Sequence, residues 1–142
     1  MKVNFTKKQF KHLLDLVHLG EWTANSSRES DTLIKEYEEL YQYINALAKD
    51  FGYEEIIQFE KKLNEYFPTQ AYENELRPII EVNDNEVFWN ELSSRLATRD
   101  LANEKVISRD TDEQFKRLLE IEQRYDEEFV EHGLSRLILK KD

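Results

Sequence analysis

An all-α fold, a single-domain bundle of about five to six helices, is predicted by three observations. Only three Gly and two Pro interrupt 142 residues. Apolar residues between them recur at steps of three and four rather than alternate, the spacing that gathers one face of a helix. Hydrophobic residues make up 39% of the chain and charged residues 35%, which suits a packed core under a charged exterior and not a disordered chain. A chain of this length buries about two thirds of the surface it exposes when unfolded, so it folds without a metal or a disulfide. Residues 1–142 are expected to form one domain.

Thr6 and Gln9 have the spacing of a capping box, and Phe10, Leu13, Leu14 and Val17 follow on one face of a first helix that runs to about Ala24. Ser27, Ser30 or Asp31 can cap a second helix. Its Leu33, Tyr37, Leu40, Ile44, Leu47 and Phe51 form a lengthwise seam, and Gly52 follows as a C-terminal cap. A third helix is expected through Ile56, Phe59, Leu63 and Phe67, stopped by Pro68. Gln70 to Val82 is left open: Pro78 interrupts the helix that starts near Gln70, and Ile79-Ile80-Glu81-Val82 supports either a helical turn or a short strand.

Asn83-Asp84-Asn85 reads as a turn and cap that opens a further helix from Glu86 to about Ala102, with Phe88, Leu92 and Leu96 inward. Thr111 and Gln114 make a second capping box for a last helix through Phe115, Leu118, Leu119, Tyr125 and Phe129 to Gly133. The tail LSRLILKKD is too apolar for a solvated end. Leu134 to Leu139 is expected to pack on the body, beside Ile79, or on a second subunit as a homo-oligomer contact.

Lys and Arg number 20 against 30 Asp and Glu, a net charge of −10. That balance repels phosphate backbones and anionic membranes and is compatible with a basic protein partner or a metal, so neither nucleic acid nor membrane is an expected partner. With no Cys, disulfides, thiolate metal sites and thiol nucleophiles are excluded. MKVNFTKKQF lacks the apolar run of a signal peptide, and no stretch approaches the ~20 apolar residues of a membrane span, so a soluble cytoplasmic protein is expected. No phosphate-binding glycine loop, H-E-x-x-H, EF-hand loop or G-x-S-x-G occurs. Glu128 and His132 are four apart, not the three of a di-iron carboxylate motif, and no cofactor is expected.

Polar residues on otherwise apolar faces are the candidates for a site. At ~100° per residue Glu21, Asn25 and Arg28 continue the stripe of Phe10, Leu14 and Val17. Glu60 stands among Ile56, Phe59 and Leu63, Arg95 and Arg99 beside Leu92 and Leu96, and Glu122 and Asp126 within the stripe of Leu118, Leu119 and Phe129. One reading is an Arg–carboxylate network that sets helix register. The other is a polar pocket whose carboxylates hold a divalent cation and whose arginines hold an anion. Trp22 and Trp89 are either packing residues or the aromatic walls of a pocket. His18, one turn before Trp22, is either a hydrogen-bonded helix shoulder or a general base. Gly20 is expected to let another helix approach closely.

Two resemblances bear on these residues. Glu36 and Glu39, Glu81 and Asp84, and Glu122 and Asp126 make the chain loosely similar to all-helical nucleotide pyrophosphohydrolases, which hold Mg²⁺ between Glu and Asp on facing helices. The match departs at Glu122 and Asp126, four apart instead of three. FKHLLDLVHLGEWTANSSR, EYEELYQYINALAKDFG, FWNELSSRLATRDL and the closing Gly-Leu-x-x-Leu-x-Leu resemble a family of small uncharacterised all-helical bacterial proteins with no assigned function. That resemblance implies a compact helical fold and assigns no functional residue. The function expected from the sequence is a protein-interaction or accessory module; the alternative is a metal-dependent nucleotide hydrolase using Glu21, Glu60, Glu122 and Asp126.

Overall fold

The computed structural model describes residues 3–104 and 110–138. Among them the order of elements is α1 (Lys7–Asn25), α2 (Lys35–Ala46), a 3₁₀ turn (Ala48–Phe51), β1 (Ile57–Glu60), β2 (Glu65–Pro68), α3 (Gln70–Asn103) and α4 (Thr111–His132). The chain is thus mostly helical, with four α-helices and one small hairpin in the described residues rather than five to six helices. Its contacts fall into two compact units, Met1–Ile80 and Glu81–Asp142.

In the first unit α1 opens with the capping box the sequence predicts: Thr6 Oγ1 accepts from Gln9 N–H at 3.2 Å and Gln9 Oε1 accepts from Thr6 N–H at 2.9 Å. Phe10 and Leu14 are each 1% exposed and form a core with Ala48, Ile57, Tyr72 and Leu76. The seam of α2 is rotated from the predicted one. Tyr37 and Leu40 are exposed, while Asn45 is buried and Ile44 half-buried against the core. None of Ser27, Ser30 and Asp31 caps α2, whose N-cap is Ile34 with no side-chain bond of its own. The helix also ends early, and Gly52, with φ of 71°, closes the 3₁₀ turn instead.

The predicted third helix is the β-hairpin. β1 and β2 pair antiparallel from Ile57 opposite Pro68 to Glu60 opposite Glu65, and Asn64 takes the left-handed conformation at the turn with φ of 57°. One side chain ties it to α2, and one ring pair braces its two strands. Gln42 of α2 accepts from Tyr66 N–H at 2.7 Å and donates to Tyr66 C=O at 3.1 Å. Phe59 and Tyr66, opposite each other, bring their ring centroids to 4.9 Å.

α3 is one helix of 34 residues that passes through Pro78 and through Asn83-Asp84-Asn85. Neither breaks it, which resolves Gln70 to Val82 as helix. Its first turns belong to the first unit, where Tyr72 and Leu76 are buried, and the unit boundary falls two residues beyond Pro78.

The second unit is a helical hairpin of α3 and α4. Arg117 with Glu104, Tyr125 with Asp100, and Trp89 with Phe129 run in opposite sequence order, so the two helices are antiparallel. α4 is capped by Asp110, whose carboxylate accepts from Asp112 N–H at 2.8 Å, one residue ahead of the predicted Thr111. Gly133, φ 56°, ends it by donating to Phe129 C=O at 2.9 Å. Among the described residues no helix is long and apolar enough to cross a membrane.

Two substitutions test the helices. A Cβ at Gly20 meets nothing within 4 Å, so Gly20 is not the close approach expected of it. Gly20→Ala should therefore stabilise by about 0.5–1 kcal/mol in urea unfolding. Pro78→Ala restores an amide donor for the Asn74 carbonyl and should stabilise by about 1–3 kcal/mol. A loss of stability in the second variant would refute a continuous α3.

Candidate functional site

The residues singled out in the sequence fall into the two units, and each set finds partners within its own. In the first, Asn25 is 5% exposed and ties the connector after α1. Its Oδ1 accepts from Ile34 N–H at 2.9 Å while its Nδ2 donates to Glu21 at 3.0 Å. Arg28 turns back to donate to Ala24 C=O at 2.8 Å. Glu21, Asn25 and Arg28 thus fasten the chain between α1 and α2. Trp22 is exposed.

A second polar group of this unit was not foreseen. Tyr72, buried in the core, donates to Asp15 at 2.8 Å, and Lys11 donates to Asp15 at 2.7 Å and to Glu75 at 3.0 Å. The Lys11 ammonium stands 4.7 Å from the centre of the Tyr72 ring. Burial, then the Asp15 carboxylate, drives the Tyr72 phenol well above its ordinary range. His18 shares a hydrogen bond with Tyr41 at 3.1 Å through Nδ1, and desolvation holds its pKa below the ordinary 6.5 against the pull of Glu73, Glu21 and Asp15. The sequence signal for Asp15 was its position four residues after Lys11; Tyr41 and Tyr72 lie too far along the chain for spacing to reveal.

In the second unit the arginines face outward. Arg95, with a side chain 80% exposed, pairs with Glu91 at 3.0 Å. Arg99 pairs with Asp100 at 2.7 Å and donates to Tyr125 at 3.2 Å, and Tyr125 itself donates to Asp100 in a short hydrogen bond. The Tyr125 hydroxyl, with Arg99 second, lowers the pKa of Asp100. Arg117 closes on Glu104 at 2.6 Å and Glu120 at 2.9 Å. These are local bridges on half-exposed or exposed side chains, where solvent screens the charges, rather than inward-facing pairs.

The seam under these bridges is built on small residues. Ser93 and Ala97 of α3 and Ile121 and Phe129 of α4 are buried, whereas Phe88 is exposed and Leu92 and Leu96 are half-buried. Small buried side chains bring two helix backbones close, which turns their larger neighbours to the flanks. Toward the end of this seam lies a recess of about 420 Å³ that includes Trp89, Asn90, Ser93, Asp126 and Phe129. It brings together two of the sequence candidates, Trp89 and Asp126, with Ser93, which no periodicity distinguishes. Among the described residues the Ser93 hydroxyl is buried without a hydrogen-bond partner, as is the Asn45 amide nitrogen in the first unit. An unmet buried polar group costs about 1–3 kcal/mol. Glu122 is half-buried on α4.

Glu21 and Glu60 lie in one unit and Glu122 and Asp126 in the other, and among the described residues no three His, Asp or Glu side chains converge on a point that could hold a metal ion. The tail is described as far as Ile138, where Leu134, Leu137 and Ile138 are exposed; Leu139 lies outside the described residues.

His18 sets a pH dependence. Its native pKa lies below the unfolded value, so the unfolded chain takes up the proton first as pH falls. The stability it contributes is complete above about pH 6.5 and is lost on acidification below it. His18→Gln, which can keep a bond to Tyr41, should flatten the stability profile between pH 6.5 and the depressed native value. An unchanged slope, or a histidine resonance titrating above 6.5 by NMR, would show that the ring is not desolvated.

No protein-family model, curated protein or solved structure matches this chain.

Proposed function

We propose that the protein is an interaction or accessory module, and that its contact surface is the apolar flank of the α3–α4 hairpin. The observation that supports this is the amount of apolar side chain left outside the seam. Val87 and Phe88 on α3, Phe115, Leu119 and Val130 on α4, and Leu134, Leu137 and Ile138 beyond it are all at least 46% exposed. Monomeric proteins seldom leave more than a few hundred Å² of contiguous apolar surface in water, and larger patches mark contact sites. The antiparallel pairing groups these residues. Trp89 against Phe129 brings the Val87–Phe88 end of α3 to the Val130–Leu134 end of α4, while Phe115 and Leu119 lie toward the other end, near Arg117 and Glu104. The net charge of −10 favours a partner with basic residues around an apolar centre.

The test uses Val87→Asp and Leu119→Asp, both at exposed positions that should leave the melting temperature within a few degrees of the parent. Sedimentation of the full chain over a wide concentration range, with affinity capture from cell lysate, reads the surface. Association, with itself or a captured protein, should be lost in both variants. A 17.1 kDa monomer at every concentration, with capture unaffected by either charge, would remove the reading.

A further inference from the structure

The recess in the α3–α4 hairpin has the composition of a binding site and not of a packing fault. Its volume of about 420 Å³ is within the range of small-ligand sites. The aromatic side is Trp89 and Phe129, ring centroids 5.4 Å apart, and Trp89 is held in place by donating from Nε1 to Asn85 at 3.2 Å. Glu86 and Asp126 are exposed carboxylates at its rim, one from each helix, and among the described residues no Lys or Arg lines it. Ser93, 1% exposed, has a hydroxyl without a partner among the described residues.

We propose that this recess binds an organic cation that carries N–H groups, an alkylammonium or a guanidinium, either as a free amine or as a Lys or Arg side chain. Each component matches that chemistry. The aromatic faces attract a cation through their ring quadrupoles. Asp126 and Glu86 compensate its charge and receive its outer N–H groups. The Ser93 oxygen accepts an inner N–H, so the orphaned hydroxyl gains its bond only when the ligand is a donor. An anion would meet two carboxylates and no cation, and a neutral apolar ligand would leave both carboxylates and Ser93 unmet. The charge of −10 adds a long-range attraction for cations. The recess adjoins the apolar flank proposed above as the contact surface, with Val130 common to both, but its ligand is tested without reference to that reading.

The test titrates the full chain with n-butylammonium, methylguanidinium and tetramethylammonium. A Trp22→Phe background leaves Trp89 as the only indole, and its fluorescence is read beside calorimetry. Saturable binding in the millimolar range is expected, with the two N–H cations at least about threefold tighter than tetramethylammonium, which cannot donate. Asp126→Asn, at an exposed position, should weaken all three by roughly fivefold or more. Ser93→Ala should abolish the advantage of the N–H cations while leaving the melting temperature unchanged or raised, an outcome that simple packing damage would not give. N-acetyl-arginine amide separates the sources: binding as tight as methylguanidinium assigns a peptide side chain, and exclusion assigns a free amine. No saturable response to any probe up to about 50 mM, or binding indifferent to both Asp126→Asn and Ser93→Ala, overturns the proposal.

Discussion

Two helices packed side by side share one seam, and every apolar residue outside that seam meets water. This constraint governs the second unit. Ser93, Ala97, Ile121 and Phe129 occupy the seam, and because two of the four are small, the apolar volume enclosed is slight. The larger residues are on the flanks, where a third layer would be needed to cover them. The first unit has such a layer. Helices, the 3₁₀ turn and the hairpin surround Phe10, Leu14 and Tyr72, and the interior is closed. One chain thus contains a unit with an enclosed core, though Leu16, Tyr37, Leu40 and Leu63 stay exposed on its surface, and a unit with a single seam, with α3 contributing to both.

Polar groups are also divided between those that fasten and those that are left unmet. Asn25, Gln42 and Asp15 each have their hydrogen bonds directed at backbone or at a buried tyrosine, which fixes a connector, a strand and a helix face. Ser93 alone among the buried side chains of the second unit keeps a hydroxyl without a partner in the described residues. Such a group weakens the fold it sits in. Its presence beside two aromatic rings and two carboxylates is consistent with a role outside folding.

The helical character, α1 with its capping box, and the glycine end at Gly133 were legible because each depends on residues within one turn of one another. The hairpin was not. Ile56, Phe59, Leu63 and Phe67 have helical spacing, and what makes them strands is the pairing of Phe59 with Tyr66 and the hold of Gln42 on Tyr66, contacts that local spacing does not encode. Pro78 and Asn83-Asp84-Asn85 carry strong local signals for a break, yet α3 buries Tyr72 and Leu76 before them and Ser93 and Ala97 after them. Packing at both ends outweighs a missing amide in the middle. The polar candidates were legible as a set and not as an arrangement. Arg95 and Arg99 are long enough to reach water from a helix shoulder, so a face computed at the Cα does not say where the guanidinium goes. Trp89 and Asp126 were found; Ser93, which completes their recess, has nothing in its spacing to mark it.

The grip of Gln42 on β2 also governs how this chain meets copies of itself. A two-stranded hairpin leaves outer edges whose free amides can recruit a strand from another molecule. Along the outer side of β2, the Tyr66 amide and carbonyl are both occupied by the Gln42 side chain, and Pro68, two residues on and facing the same way, has no amide to offer. That edge cannot template a ladder. The backbone route to ordered aggregation is thereby closed on this edge, and any assembly the protein enters through this side of the hairpin has to be made by side chains.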